Sequence, residues 1–245
     1  MSSPHPLRMI HAPSVEADAP PAASPQAASR RASRKSVGWR EAFFRAAGPG
    51  VVTGITMGAW LRLLAQNRFR IHPAYWPKAA FTTLASGLSS TFAVAEKAIY
   101  GRRIAATVVP PPLFVLGHWR SGTTHLHNLL AIDERFGSPS FSEVTIPSTF
   151  LTGSPVLNTA ARFLLPATRF EIDNVSLSIN APSEEEFALA QMTFHSPYMG
   201  WAFPEHADYY GRYVNFRGVP EHEVAEWKAA FLTFLKKLTL RHHKP

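Results

Sequence analysis

The sequence contains no cysteine among its 245 residues. That absence excludes a disulfide scaffold, a zinc site built on thiolates and a cysteine nucleophile. Acidic residues are also scarce: 17 Asp and Glu face 25 Lys and Arg, and the formal net charge is +8. This balance favours anionic partners, whether a phosphate-bearing ligand, a nucleic acid or an acidic membrane surface. The length is enough for one domain with a real core.

The sequence also lacks a long uninterrupted apolar run. Its best candidate, residues 48–65, is broken by four glycines, a proline and Arg62. A membrane-spanning helix needs about 20 mostly apolar residues and disfavours a central arginine. We therefore predict a helix beginning near Trp60 that packs on the domain or lies at a membrane surface, and packing is the simpler of the two.

The first 36 residues have the composition of a disordered basic tail. Ala, Pro and Ser supply 21 of them, and residues 30–35 form a basic run. Such a segment cannot repay its ordering entropy. The basic run could contact nucleic acid or anionic lipid, but a solvated tail is the simpler interpretation. The tail lacks the basic-then-apolar order of a secretory signal, so we expect a cytoplasmic protein, with peripheral membrane contact left open.

Residues 37–106 are predicted to form a helical N-terminal region. Apolar residues recur in steps of three and four from residue 81 to residue 99, which is one stripe of an amphipathic helix. Gly101 then offers a helix end. No catalytic group stands out in this region, and the whole sequence shows no internal repeat.

The informative segment begins at residue 107 and has the order strand, glycine-bearing loop, helix. Residues 113–116 are four apolar residues without alternation, which is typical of a fully buried parallel strand. Leu126, Leu129 and Leu130 fall on one face of a helix that follows the loop. The loop between them reads Gly117-His118-Trp119-Arg120-Ser121-Gly122-Thr123-Thr124.

A loop in that context is suited to holding a phosphate group. Backbone N–H groups of the loop and of the first helical turn converge on one point, where the helix dipole adds about half a positive charge. Gly117 and Gly122 permit positive φ and close backbone approach. Arg120 can donate two hydrogen bonds to two anionic oxygens. Further hydroxyl donors are supplied by Ser121, Thr123 and Thr124.

The loop departs from the nucleotide-triphosphate loop G-x-x-x-x-G-K-[ST] at one position. Gly117, Gly122 and Thr124 keep its spacing. Thr123, however, stands where that loop has the lysine that reaches the β- and γ-phosphates. The cation lies within the loop instead, as Arg120. This difference argues against an ordinary ATPase or kinase and indicates another phosphate-bearing donor.

The loop resembles that of the sulfotransferases, which use 3′-phosphoadenosine 5′-phosphosulfate as donor and carry [KR]-S-G-T-T after an apolar strand. The arginine version preceded by His-Trp is similar to that of the bacterial members. Flanking blocks support the resemblance from about Trp60 to the end, among them Glu143 with Pro147 and residues 182–189, Pro-Ser-Glu-Glu-Glu-Phe-Ala-Leu.

That resemblance implies an α/β fold for residues 107–245, with a P-loop-like parallel sheet flanked by helices. Residue 245 falls where the family would begin its next core strand. We therefore expect the domain to be incomplete at its C-terminal side, without the residues that hold the donor's 3′-phosphate. On this interpretation the chain alone binds the donor weakly and turns over poorly or not at all.

The resemblance also implies a mechanism of in-line sulfuryl transfer. An acceptor hydroxyl attacks the donor sulfur, and 3′,5′-adenosine bisphosphate leaves. Arg120 is expected to neutralise charge on the bridging and 5′-phosphate oxygens. No metal is implied, and the sequence offers no metal-ligand set. The expected donor contacts are Arg120, Ser121, Gly122, Thr123 and Thr124.

Two places in the sequence offer a general base for the acceptor hydroxyl. Glu143 follows Arg120 by 23 residues, where the family has a glutamate after the loop helix, although a structural carboxylate would fit the same position. Glu185 and Glu186 belong to an acidic run that ordinarily begins a solvated helix, and one of them is expected to face the acceptor. Further candidates for the substrate pocket are His118 and His125.

Residues 194–216 are rich in aromatic side chains. They either line an acceptor pocket or form a layer packed on the core, and packing is the simpler interpretation. A helix with an apolar face is predicted after Pro220. From the resemblance we expect the acceptor to be a small-molecule, lipid or carbohydrate hydroxyl, and we expect no nucleic-acid partner.

Two other function classes stay open at this point. A P-loop phosphotransferase would share the loop geometry, but it would need a lysine and an acidic Mg²⁺ ligand that we do not identify. A non-catalytic protein that binds a membrane surface or nucleic acid would depend on the basic tail. Neither class explains Arg-Ser-Gly-Thr-Thr directly after an apolar run.

Overall fold

The structure is a computed structural model that describes residues 51–118, 121–164 and 178–244. The predicted tail, residues 1–36, and the loop residues Trp119 and Arg120 lie outside these ranges. Within them the chain is mainly helical. The α-helices are α1 (Met57–Gln66), α2 (Trp76–Ala106), α3 (Thr123–Leu130), α4 (Phe141–Thr145), α5 (Phe150–Leu164), α6 (Glu186–Thr193), α7 (Met199–Ala202), α8 (Ala207–Gly211) and α9 (Glu221–His242).

Helix α1 packs on the first of two apolar clusters. Trp60 and Leu63 of α1 are buried. The Trp60 indole Nε1 donates to Thr83 Oγ1 on α2 over 2.9 Å. The prediction that this helix packs on the domain is confirmed. The buried members of the cluster are Ile55, Trp60, Leu63, Ala190, Phe194, Tyr198, Met199, Tyr210 and Tyr213.

Five of those cluster members, four of them aromatic, come from residues 194–216, which confirms the packing interpretation for them. Trp201 and Tyr209 in the same stretch stay exposed by half or more. Tyr198 lies in the cluster and stacks on Trp201, with ring centroids 4.3 Å apart. The aromatic layer therefore continues from the core to the surface.

Helix α2 continues past the end predicted for it. Its last residue is Ala106, whereas the sequence indicated an end at Gly101. A Cβ at Gly101 would meet its nearest neighbour, Lys97 Cγ, only at 3.9 Å, so this glycine serves no turn or close approach. The helix ends where Thr107 becomes extended, three residues before Pro110. The predicted stop at Gly101 is wrong.

The second apolar cluster lies between helices α4, α5, α6 and α9. Phe150 and Phe234 are fully buried and meet edge to face, with ring centroids 6.0 Å apart. Helix α9 begins after Pro220, which confirms the predicted C-terminal helix. The buried members of this cluster are Val144, Ile146, Phe150, Ala188, Phe234 and Leu238.

Backbone hydrogen bonds join the segment before α4 to the segment before α6. Phe141 N donates to Ala181 O over 2.8 Å, and Ser183 N donates to Pro139 O over 2.9 Å. Ser140 and Pro182 form an isolated antiparallel bridge. This pairing brings the helix that carries Glu143 beside the acidic run 184–186.

The buried parallel strand predicted at residues 113–116 is not found. No β-strand occurs among the described residues, and 113–116 belong to no helix or strand. Leu113, Phe114 and Leu116 are 58%, 52% and 86% exposed. A strand is buried only when neighbouring strands and covering helices pack on it, and the described part of the chain supplies no such strand.

Across the described ranges, no helix combines the length and the apolar character required to cross a bilayer.

Gly54 allows the chain before α1 to lie against α4, and Gly54→Ala should lower the free energy of unfolding by about 2 kcal/mol. A Cβ there would lie 1.9 Å from Thr145 O and 2.8 Å from Ile146 Cα, so backbone must move. Urea denaturation measures the change. Gly58→Ala is the matched control, because a Cβ there meets nothing within 4 Å. Equal stability of Gly54→Ala and wild type would contradict the close approach.

Candidate functional site

The predicted phosphate loop runs from Gly117 to the start of helix α3. Ser121 bonds back to His118 O through both its backbone N, at 3.1 Å, and its Oγ, at 2.6 Å. Gly122 has φ +91°, a left-handed conformation that favours glycine. A Cβ at Gly117 would lie only 2.6 Å from Thr123 Cγ2. Gly122 thus adopts the predicted positive φ, and Gly117 allows the predicted close approach.

The first turn of α3 is open to an anion. Gly122 occupies the N-cap, and no side chain caps the helix among the described residues. The first backbone N–H groups of the helix therefore lack a capping acceptor, which is the arrangement that binds phosphate at a helix N-terminus. Thr123 and Thr124 lie in this turn and line a cavity. Arg120, the predicted cation of the loop, falls outside the described residues.

The cavity has a volume of about 310 Å³ and joins segments far apart in sequence. Its lining includes Gly117, Thr123 and Thr124 of the loop and helix α3, together with the acidic residues 184–186. His127, Tyr198, His242 and Lys244 add polar groups. Its apolar lining includes Leu113, Phe114, Leu130, Phe136, Phe231 and Leu235. Hydroxyl donors, carboxylates and an apolar wall thus meet in one space.

The acidic run has two distinct environments in this cavity. Glu184 Oε2 accepts a hydrogen bond from Tyr198 OH over 2.6 Å. The pKa of Glu186 is raised from its ordinary 4.5 to about 7: burial is the main cause and the charges of Glu185 and Glu184 add to it, while a hydrogen bond from Ser196 opposes them. A carboxyl group that titrates near neutrality in a cavity is suited to taking up or giving up a proton. Glu185 and Glu186 thus line the same cavity as Thr123 and Thr124, and that one of them faces the acceptor stays a prediction.

Glu143, the other predicted base, does not line the cavity. Its carboxylate is buried and completes a capping box with Ser140: Oε2 accepts from Ser140 N over 2.7 Å. Its other oxygen, Oε1, lies 3.0 Å from Nε2 of His242. Burial opposes ionisation of Glu143, but His242 and Ser140 together hold its pKa below the ordinary value. In this arrangement His242, and not Glu143, faces the cavity.

The histidines that line this cavity are not the two predicted for the substrate pocket. His118 and His125 are exposed and do not line the cavity, whereas His127 does. His125 and His127 are two residues apart, and in a helix such residues point to different sides. The sequence also missed His242. A usable signal was present, because His242 follows Leu238 by four residues and so shares the buried face of α9.

A metal centre is not indicated within the described ranges. No group of three or more His, Asp or Glu side chains there is arranged to hold an ion. The polar lining is instead a set of proton donors and acceptors around the end of a helix.

Comparisons with known proteins place this chain in one family. The family model described as a sulfotransferase family matches residues 111–238. The chain is 36% identical over 192 residues to the omega-hydroxy-beta-dihydromenaquinone-9 sulfotransferases of Mycobacterium bovis and Mycobacterium tuberculosis. Those alignments cover 78% of this chain and 49% of each relative, so the chain spans about half the length of the curated relatives it matches. No solved structure matches. On the match to more than half of its length, the chain belongs to the sulfotransferase family.

Proposed function

We propose that this chain carries the donor loop and the acceptor-facing carboxylates of an enzyme that transfers a sulfuryl group from 3′-phosphoadenosine 5′-phosphosulfate to a hydroxyl of an apolar, lipid-like acceptor. The observation that carries the proposal is the cavity. Thr123, Thr124, the acidic residues 184–186 and several apolar side chains all line it. An anionic donor and an apolar alcohol can thereby meet in one space.

The donor side fits a phosphate group. The uncapped first turn of α3 offers backbone N–H donors, and the Thr123 and Thr124 hydroxyls border the same cavity. The space beside Gly117 is so narrow that a single added methyl group would collide with Thr123. The positive charge of Arg120 would neutralise the negative charge that develops on the bridging oxygen in the transition state. These residues favour the 5′-phosphate end of the donor.

The reaction also requires a proton acceptor, and we assign that role to Glu186. The acceptor oxygen forms a bond to sulfur while the bond from sulfur to the bridging phosphate oxygen breaks. The hydroxyl proton passes to the carboxylate, and the bisphosphate leaves with the bond's electron pair. Glu186 lines the cavity and titrates near pH 7, whereas Glu143 is covered by His242 and held by Ser140. Glu143 is instead placed to hold the His242 ring in a fixed orientation.

The acceptor class follows from the cavity wall and from the relatives. Leu130, Phe231 and Leu235 give the cavity an apolar side. The names of the two mycobacterial relatives place their acceptor hydroxyl on a menaquinone derivative. An apolar chain can bury its surface against such a wall, while its terminal hydroxyl meets the carboxylates. We therefore propose a lipid alcohol, and not a sugar, as the acceptor.

The parallel sheet implied by the family belongs to the same proposal. Leu113, Phe114 and Leu116 expose a continuous apolar edge directly before the loop. Apolar residues of this kind are normally covered. We assign residues 113–116 to a strand that pairs with neighbouring strands in the family's parallel sheet.

Titration calorimetry with 3′,5′-adenosine bisphosphate tests the donor site directly. Arg120→Ala should weaken binding by about tenfold or more, because a charge-assisted bidentate contact is lost. The titration should extend to millimolar ligand. ATP with Mg²⁺ is the competing ligand.

Arg102→Ala is the matched control for that titration, because Arg102 is an exposed arginine on α2 outside the cavity. It should bind the bisphosphate as wild type does. Tighter binding of ATP than of the bisphosphate would instead favour a phosphotransferase. Equal affinities of wild type and Arg120→Ala for the bisphosphate would remove the loop from the donor site.

A further inference from the structure

Three aromatic side chains face solvent on the connection between helices α1 and α2. We call this segment, residues 67–78, the α1–α2 loop; it includes the first residues of α2. Phe69, Tyr75 and Trp76 are 62%, 61% and 62% exposed. Three large rings within eight residues mark a surface that interacts with something apolar. Trp and Tyr carry a polar tip on an apolar body, which suits the boundary between lipid and water.

The charge of the α1–α2 loop is entirely positive. Arg68 and Arg70 are exposed on either side of Phe69, and Lys78 is half-buried. Residues 67–78 contain no Asp or Glu. Cations that alternate with exposed rings complement a partner surface on which negative charges lie within a few ångströms of apolar groups. A bilayer containing anionic lipids has that structure, because phosphates lie directly above acyl chains.

The loop backbone holds Phe69 in a fixed position on the body of the protein. Arg68 and Phe69 have φ of +53° and +55°, a left-handed conformation that residues other than glycine avoid. Phe69 N donates to Leu64 O over 2.8 Å, and Asn67 Nδ2 donates to Leu63 O over 2.9 Å. Leu63 is fully buried. The strained turn is therefore tied to the core, and it persists although it leaves a large ring in water.

We propose that the α1–α2 loop docks the protein on the surface of an anionic lipid bilayer. The rings of Phe69, Tyr75 and Trp76 lie at the level of the headgroups, and Arg68 and Arg70 contact lipid phosphates. This surface lies outside the donor and acceptor cavity, and none of its residues lines that cavity. The proposal goes beyond the lipid acceptor proposed above and does not depend on it.

Co-sedimentation of the full chain with sucrose-loaded vesicles tests the proposal, without donor or acceptor. Phosphatidylcholine vesicles are compared with vesicles that also contain phosphatidylglycerol. Wild type should prefer the anionic vesicles by about tenfold or more at low salt, and the preference should shrink as salt rises. Phe69→Ala/Trp76→Ala should reduce partitioning onto anionic vesicles by about tenfold. Arg68→Gln/Arg70→Gln should reduce it by about tenfold on anionic vesicles only.

The control truncates two exposed apolar side chains outside the α1–α2 loop. Val94 and Ile99 on α2 are 72% and 63% exposed, so Val94→Ala/Ile99→Ala should bind vesicles as wild type does. All variants retain the basic residues 30–35, so equal binding by every variant would assign membrane contact to another surface and overturn the proposal. Absence of wild-type binding would overturn it as well. If the rings instead join two copies, wild type alone would sediment as a dimer and Phe69→Ala/Trp76→Ala as a monomer, which also rejects a lipid partner.

Discussion

Lys237→Met should lower the free energy of unfolding by about 3–5 kcal/mol, because it leaves a buried carboxylate without its cation. Lys237 Nζ lies 2.5 Å from Glu96 Oε1, and both side chains are about 95% buried, with exposures of 5% and 4%. Lys237 also donates to Pro147 O and lies over the Phe150 ring, 4.5 Å from its centroid. Burial lowers the pKa of Lys237, and Glu96 opposes that shift. Thermal and urea denaturation measure the loss.

Glu96 connects this ion pair to helix packing, which explains the size of the effect. Its other oxygen, Oε2, accepts from Leu151 N over 2.8 Å and from Thr152 N over 3.3 Å. These N–H groups belong to the first turn of α5, where a carboxylate complements the helix dipole. Helices α2, α5 and α9 therefore meet at one charged pair. Removal of the lysine alone leaves the Glu96 carboxylate buried between them without a cation.

Two further variants keep this prediction open to contradiction. Lys236→Met, one residue earlier on α9, loses only an exposed hydrogen bond to Ala105 O and should cost less than about 1 kcal/mol. Glu96→Gln/Lys237→Met removes both charges while Gln can still accept from Leu151 N, so it should be more stable than Lys237→Met alone. If Lys237→Met unfolded within about 1 kcal/mol of wild type, the pair would not stabilise this packing.

Local patterns in the sequence predicted local structure well. The spacing of Gly117 and Gly122 predicted a turn into a helix, because glycine spacing and the start of α3 are set by a few neighbouring residues. The period of apolar residues predicted α9, which begins after Pro220. The same reasoning stopped α2 at Gly101, where no close neighbour or positive φ requires a glycine. One glycine is a weak stop signal when the apolar stripe and the packing continue.

The cavity wall could not be predicted in the same way, because it depends on contacts between distant segments. Nothing near Glu186 in sequence shows that it will line the same cavity as Thr123, some sixty residues earlier. Glu143 is a different case. Ser140 and Glu143 have the S-x-x-E spacing of a capping box, and the structure shows both of its hydrogen bonds. That pattern was readable from the sequence and indicates a structural role for this carboxylate.

Replacement of Glu186 with glutamine should make the protein more stable than wild type above pH 7, with the difference vanishing as the pH falls toward 4.5. The folded state raises the pKa of Glu186 from 4.5 to about 7, so it binds the proton more tightly than the unfolded chain does. The contribution of Glu186 to stability is therefore complete below pH 4.5 and is lost as the pH rises through 7. The full loss is about 3 kcal/mol.

Urea denaturation of wild type and Glu186→Gln at pH 5 and pH 8 gives the comparison. Glutamine is neutral at both values, and its carbonyl can still accept from Ser196, which hydrogen-bonds Glu186 in the wild type. Glu134→Gln, which changes an exposed carboxylate in a turn, is the control and should change stability by less than about 0.5 kcal/mol at either pH.

A Glu186→Gln protein no more stable than wild type at pH 8 would mean that ionisation of Glu186 does not destabilise the folded state. It would then have no elevated pKa to act as the proton acceptor. A gain confined to high pH would show instead that the fold tolerates a destabilised carboxyl group in the cavity, as expected of a residue retained for proton transfer.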